Sequence, residues 1–206
     1  AAGGTHVVTW DNVTCRLADT DRSVNANGLQ VHGTITKSAV ATGADLVGYS
    51  GFSASNYLEQ PYNSDLDFGT GDFSISCWVK FTSSSSYGAL LHRSSSDNVN
   101  SVNTPIAIYS GGSGITVRVK SIEAFYAPRS VDIWTQYAVV RVSGVLKVYV
   151  GGVEVSSTAC TDNVSDSAAV SYIGGYYYNG VLNGAGFNIA LLRISATAPS
   201  ASQIKT

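Results

Sequence analysis

The sequence predicts an all-β protein, folded as an antiparallel two-sheet β-sandwich. Three observations carry that expectation. Apolar residues alternate strictly through Phe73–Lys80, β-rich runs follow one another across two-residue links that contain Gly, and helical periodicity is almost absent. Many short strands with turn signals about every ten residues indicate a sandwich or barrel. Missing long helices argue against a parallel α/β sheet.

Taken in chain order, residues 1–30 read as an N-terminal arm or linker, with a short β-hairpin as one form it can take. His6–Thr9 and Val13–Leu17 are strand-like, but Asp19–Ser23 and Asn25–Gly28 are polar and turn-rich, which sets a boundary near Gly28. The sandwich then occupies 31–206. Asn56–Glu59 is its first expected strand. In Phe73–Lys80, residues Phe73, Ile75, Cys77 and Val79 share one face, as the period of two requires. Ala89–His92, Ile106–Tyr109 and Ile115–Val119 follow. Tyr137–Val142, Val145–Val150 and Val153–Val155 are separated only by Ser143-Gly144 and Gly151-Gly152, so residues 137–155 form a three-stranded meander. Ser171–Ile173 and Ile189–Ile194 complete the strands, and Pro199–Ile204 opens a short turn of helix.

Composition narrows the function. The chain has 206 residues, of which 13% are charged, with 12 basic against 14 acidic side chains. Scattered Lys and Arg and a net charge of -2 provide no field for a phosphate backbone, so no nucleic-acid partner is expected. No run approaches the roughly 20 apolar residues of a membrane-spanning helix, and no membrane insertion is expected. With no methionine anywhere, Ala1 reads as part of a fragment, a processed product or a longer protein. Cys15, Cys77 and Cys160 lack metal-type spacing and read as three thiols, Cys77 in a strand core, or as one disulfide plus one thiol.

The run Leu66–Lys80 resembles the signature strand of the concanavalin A-like lectin/glucanase superfamily, in its laminin-G and pentraxin-like branch. Trp134–Arg141, Leu146–Val153, Ser171–Gly175 and Phe187–Ser195 with its tail Pro199–Ile204 continue the resemblance in order. The resemblance implies a jelly-roll sandwich whose curved sheet or loop rim binds carbohydrate, in some members with calcium, and it makes Trp78 and Trp134 core anchors. The last strand and tail are similar to versions in bacteriophage tail-fibre and other virion proteins. That likeness implies a virion-surface or extracellular setting, with a homo-oligomer such as a trimer, or other virion proteins, as partners.

A glycosidase requires two carboxylates flanking the scissile bond. Glu59, Glu123 and Glu154 are isolated, and Asp65-Leu66-Asp67 reads as solvated turn acids in an Asx-type turn. His6, His32 and His92 have no nucleophile elbow near them. No enzymatic activity is expected. The pentraxin-like pattern places Asp97-Asn98 where two calcium ligands would stand, yet its completing acids fall where this chain has Gly174-Gly175-Tyr176-Tyr177-Tyr178-Asn179. One Asp and one Asn are only the start of the 6 to 8 oxygens calcium prefers. Of three consecutive tyrosines in an extended chain at least one stays exposed, and tyrosine offers an apolar face with a hydroxyl at its edge. Tyr176, Tyr177, Tyr178 and Asn179, with Asp97 and Asn98, are therefore the expected ligand-binding residues, and Asp97 and Asn98 the metal ligands if calcium binds. A second aromatic group, Tyr87, Tyr109 and Tyr126 with Arg118 or Arg129, has no assignable face; Arg193 reads as structural. In relatives an Asp-Glu pair follows the Ile of the last strand, and here Ala190-Leu191 stands in its place. The expected function is a non-catalytic carbohydrate-recognition or adhesion module of a viral tail fibre or spike. The alternative is a structural virion protein that uses the sandwich for subunit packing.

Overall fold

In a computed structural model of the chain, the described residues are 28–84, 87–111, 114–126 and 129–204, with Phe125 and Tyr126 described as backbone. The expected arm up to residue 27, including His6, Trp10 and Cys15, lies outside them, as does the Tyr126 side chain. The described residues form sixteen strands: β1 (Gln30–His32), β2 (Thr36–Ala39), β3 (Val47–Ser50), β4 (Tyr57–Gln60), β5 (Phe73–Phe81), β6 (Gly88–Ser94), β7 (Ile106–Gly111), β8 (Gly114–Val119), β9 (Ile122–Tyr126), β10 (Thr135–Val142), β11 (Val145–Val150), β12 (Val153–Ala159), β13 (Val170–Ile173), β14 (Gly175–Tyr178), β15 (Val181–Gly184) and β16 (Phe187–Ser195). A single helical turn, α1 (Ala201–Ile204), closes the chain.

Two antiparallel seven-stranded sheets form a β-sandwich. One runs β1-β4-β13-β6-β7-β8-β9 and the other β12-β11-β10-β5-β16-β3-β2; β14 and β15 make a separate hairpin. The expected meander is β10-β11-β12, with a bulge in the β11–β12 pairing between Val148 and Tyr149. Alternation in β5 buries Phe73, Ile75, Cys77, Val79 and Phe81 to 2% exposure or less, in one cluster with Leu90, Ile106, Ile108, Ile115 and Val117 of the facing sheet. Burial of each such side chain contributes roughly 1.5–3 kcal/mol, so this row accounts for much of the driving force. Cys77 and Cys160 are both buried and unbridged, and burial pushes the Cys77 thiol up to about 12.

Two expectations are corrected. Trp78 does not anchor the core: it stands opposite Cys77 and Val79 on the outer face of β5 and is 38% exposed. Trp134 lies half-buried outside the core cluster, with its Nε1–H donating to Val40 O at 3.1 Å and the Lys80 ammonium 5.7 Å from its ring centre. The anchoring is done instead by two buried arginines. Arg141 donates to Gly71 O, Asp162 O and Gly69 O at 2.7–2.8 Å while its guanidinium lies 4.8 Å from the Phe73 ring centre.

Arg93 pairs with Asp67 at 2.6 Å. Asp67 is therefore not a solvated turn acid. It also accepts from the Tyr62 hydroxyl and from Asp166 N–H, and only Asn63, capping the short 3-10 turn Ser64–Leu66, makes an Asx-type contact there. Burial raises the Asp67 pKa, but these hydrogen bonds and the Arg93 charge outweigh it and leave it below the usual carboxylate value. Its stabilising contribution is complete above the unfolded value near 3.8 and disappears as pH falls through the lower folded value.

Candidate functional site: a tyrosine-lined cleft

The tyrosine run is a strand, not a loop. Asn179 and Gly180 take φ of 49° and 77°, the left-handed pair of a two-residue hairpin turn, and join β14 to β15 with Tyr178 opposite Val181. That Asn-Gly dipeptide was the local signal that sequence reasoning passed over. Two close approaches seat the hairpin on the sandwich. A Cβ at Gly174, whose φ is +75°, would stand 2.0 Å from the Phe52 ring, and one at Gly184 would stand 2.1 Å from Ser53 Cα. Only glycine fits at either place.

Alternation along β14 then divides the tyrosines. Tyr177 turns onto the sandwich: its ring packs edge-on to Tyr172 at 5.3 Å, its N–H donates to His92 Nδ1 at 3.2 Å, and its carbonyl accepts from Val99 N–H at 2.8 Å. Tyr176 and Tyr178 turn the other way, where they line a cleft of about 270 Å³ with Tyr87, Tyr109, Val99 and Asn100. Tyr87 and Tyr109 of the second aromatic group thus meet Tyr176 and Tyr178 of the tyrosine run in one place. The β6–β7 register brings this about, setting Ala89 opposite Tyr109 so that Tyr87 reaches over Gly111. Tyr87 is 57% exposed and Tyr178 46%, so both present open ring faces.

The polar groups around the cleft are fixed. The Tyr109 hydroxyl donates to Asn100 Oδ1 at 3.0 Å, and Asn100 N–H donates to Asn98 Oδ1 at 2.9 Å. Asn98 Nδ2 donates to Asn179 Oδ1 at 2.8 Å, and Gly180 N–H to Asp97 O at 3.0 Å. Asp97, Asn98 and Asn179 are therefore gathered at one rim of the cleft, tying its 95–104 loop to the hairpin. Burial, then the neighbouring Tyr87 and Tyr178 hydroxyls, raise the Tyr176 pKa. Burial likewise raises that of Tyr109, with Glu123 second. Both remain protonated at neutral pH and can donate as well as accept. Arg118 lies behind Tyr109, buried and ion-paired to Glu123, while Arg129 donates to Ser84 O away from the cleft lining.

Asn98 Oδ1 is occupied by Asn100 N–H and Asn179 Oδ1 by Asn98, which leaves Asp97 as the carboxylate there. Among the described residues no three His, Cys, Asp or Glu side chains converge. Glu123 is ion-paired to Arg118 and Glu154 to Lys147 at 3.0 Å, and Glu59 Oε2 lies 3.1 Å from His32 Nε2. A flat, partly open aromatic surface with fixed amide and hydroxyl groups beside it is equipped to bind, by stacking and hydrogen bonding.

The frame is an antiparallel two-sheet β-sandwich with an aromatic cleft at its rim. Residues 52–205 match the family model Laminin_G_3, described as the concanavalin A-like lectin/glucanases superfamily, and the chain belongs to that family. No curated protein sequence matches. Among solved structures, the chain is similar to the binding domain of botulinum neurotoxin DC in complex with rat synaptotagmin II, at 14% identity and a TM-score of 0.61, covering 86% of this chain and 45% of that one. It is also similar to a structure of botulinum neurotoxin type C, whose cell entry is dependent upon interaction with two ganglioside molecules, at 13% identity, TM-score 0.63, and 86% and 45% coverage. A third, the botulinum neurotoxin DC binding domain in complex with SialylT, has 12% identity, TM-score 0.60, and 86% and 44% coverage. These likenesses report a shared fold, and the chain spans less than half of each of those chains.

Proposed function

We propose that this domain is a non-catalytic carbohydrate-recognition module and that the tyrosine cleft is its ligand site. The observation that carries the reading is the convergence of Tyr87, Tyr109, Tyr176 and Tyr178 around about 270 Å³ beside fixed amides. That volume is small against the 300–1,000 Å³ of drug-sized sites, which suits the end of a glycan more than the middle of a polymer. The exposed faces of Tyr87 and Tyr178 stack on the C–H face of a sugar ring. Tyr176 and Tyr109 hydroxyls and the Asn100 amide meet its hydroxyls. The ganglioside and SialylT recorded for two structurally similar neurotoxins agree with this ligand class. Calcium has no role in the proposed contact, and Asp97 acts through its backbone in holding the loop.

Such a single cleft binds weakly, and repetition on an oligomer supplies avidity. A viral tail fibre or spike on a virion or other extracellular surface is the proposed setting, and it rests on the texture of the last strand and tail. The alternative, a packing domain of a fibre, has one observation of its own. Leu29, Val31, Leu46, Val47 and Leu191, each 36% exposed or more, line a groove of about 450 Å³ along the strand edges.

A glycan array probed with the domain, with and without a chelator, tests the proposal. Tyr178→Ala is expected to weaken binding to any captured glycan about ten-fold or more, on the order of the 1–2 kcal/mol of one aromatic contact. Chelation is expected to change nothing. Binding that survives Tyr178→Ala and Tyr176→Ala in the folded protein would move the ligand elsewhere.

A further inference from the structure

The outer face of the second sheet holds a feature the tyrosine cleft does not use. Trp78 stands 38% exposed in the middle of that face on the central strand β5, between Gln136 of β10 and Ala190 of β16. Beside it the β5–β16 register breaks between Ala190 and Arg193. Leu191 there adopts φ +52°, unusual for a non-glycine residue, and is 56% exposed. Strained, exposed apolar backbone beside a bulge destabilises a fold, and such features concentrate where a strand is re-aimed toward a ligand. The bulge carries Arg193 onto the same face.

Two stretches of cleft, of about 770 and 570 Å³, share Ser76, Gln136 and Arg193 and so run together as one groove. Trp78 and Leu191 wall one end; Thr197, on the tail that leads into α1, and Gln203, within α1, wall the other. No Asp or Glu lines either stretch. Glu154, on β12 of this sheet, is held by Lys147 at 3.0 Å and the Tyr149 hydroxyl at 3.1 Å. Arg193 is exposed and has no carboxylate within ion-pairing distance among the described residues. The charge of the groove is therefore positive, while the chain as a whole carries -2. Its side chains otherwise resemble a sugar-binding set: an indole face, an amide and several hydroxyls.

We propose that this groove is a second ligand site, which takes an extended segment of an acidic polysaccharide. A sugar ring lies on Trp78, and a carboxylate or sulfate on the chain pairs with Arg193 in a charge-assisted contact. Its length distinguishes it from the tyrosine cleft, which accepts an end. The two sites lie on different sheets, so the second does not depend on the first.

The test titrates the folded domain with oligogalacturonate, sulfated dextran oligosaccharide and neutral dextran oligosaccharide of equal length, following the Trp78 indole N–H resonance, assigned by Trp78→Phe. The expected result is a shift with the acidic oligosaccharides, at least five-fold weaker in Arg193→Gln, weakened by added salt and unchanged in Tyr176→Ala/Tyr178→Ala. Preference for galacturonate or for the sulfated chain identifies the anion. Three results overturn the proposal: no Trp78 shift at millimolar acidic oligosaccharide, equal binding of neutral dextran regardless of Arg193→Gln, or a shift that tracks protein concentration alone, which would mark the face as a contact between copies of the chain. A fourth result, loss of acidic binding in the double tyrosine variant, would also overturn it and assign these ligands to the tyrosine cleft.

Discussion

Replacing Arg141 with alanine is expected to remove about 4 kcal/mol of folding stability, because it strands buried carbonyls that a charged donor now satisfies. Gly69 O, Gly71 O and Asp162 O each accept from this guanidinium at 2.7–2.8 Å, and the side chain is fully buried against Phe73. Against a total of roughly 5–15 kcal/mol for a domain, that loss leaves little. Arg141→Lys keeps the charge but presents a point donor where a planar fork spans three acceptors, so it should recover only part of the loss. Urea unfolding of both variants measures this. An unfolding free energy for Arg141→Ala within about 1 kcal/mol of the parent would mean that water replaces the guanidinium and that the clamp is not structural.

Stability is also expected to fall between pH 6.5 and 4, through His92. The ring is fully buried, its Nδ1 accepts from Tyr177 N–H, and its Nε2 has no hydrogen-bond partner. Burial pushes its pKa down to about 4 from 6.5. Below 6.5 the unfolded chain takes up a proton that the folded chain refuses until about pH 4, so the folded state is progressively disfavoured, by on the order of 3 kcal/mol across the window. Asp67 titrates lower and does not overlap the upper half of this range. Denaturant midpoints at pH 7.5, 6 and 5 should decline in the parent and stay flatter in His92→Asn, which keeps an acceptor for Tyr177 N–H. Equal slopes in the two proteins would show that His92 does not set the dependence. Because Tyr177 sits between Tyr176 and Tyr178, the same protonation should loosen the cleft.

Much of the sandwich was legible in the residues, for a specific reason. Strands such as Phe73–Phe81 and Val145–Val150 are half buried, so their alternation records the two faces directly. Thr36–Ala39 is exposed along its whole length and Gly48 interrupts Val47–Ser50, so β2 and β3 leave no such record. Trp78 is instructive: resemblance made it a core anchor, yet the alternation of its own strand puts it opposite Cys77 and Val79, on the outer face. Periodicity was the better guide. The cleft was half legible. Tyr176 and Tyr178 were in view from the start, but their union with Tyr87 and Tyr109 depends on strand register and on a hairpin folding back across β6, and both are long-range properties. Arg93 and Arg141 gave no hint of burial, because their partners are backbone carbonyls and an aspartate far along the chain.

The central claim is that sugar is held by rings on one face of β14 and not the other. Calorimetric titration of a glycan captured on the array into the parent, Tyr178→Ala and Tyr177→Phe tests it most directly. The Tyr177 ring packs on Tyr172, away from the cleft, so Tyr177→Phe should bind like the parent while Tyr178→Ala loses at least ten-fold, on the order of 1.4 kcal/mol. Equal affinity in Tyr178→Ala and the parent, or a loss confined to Tyr177→Phe, would contradict it.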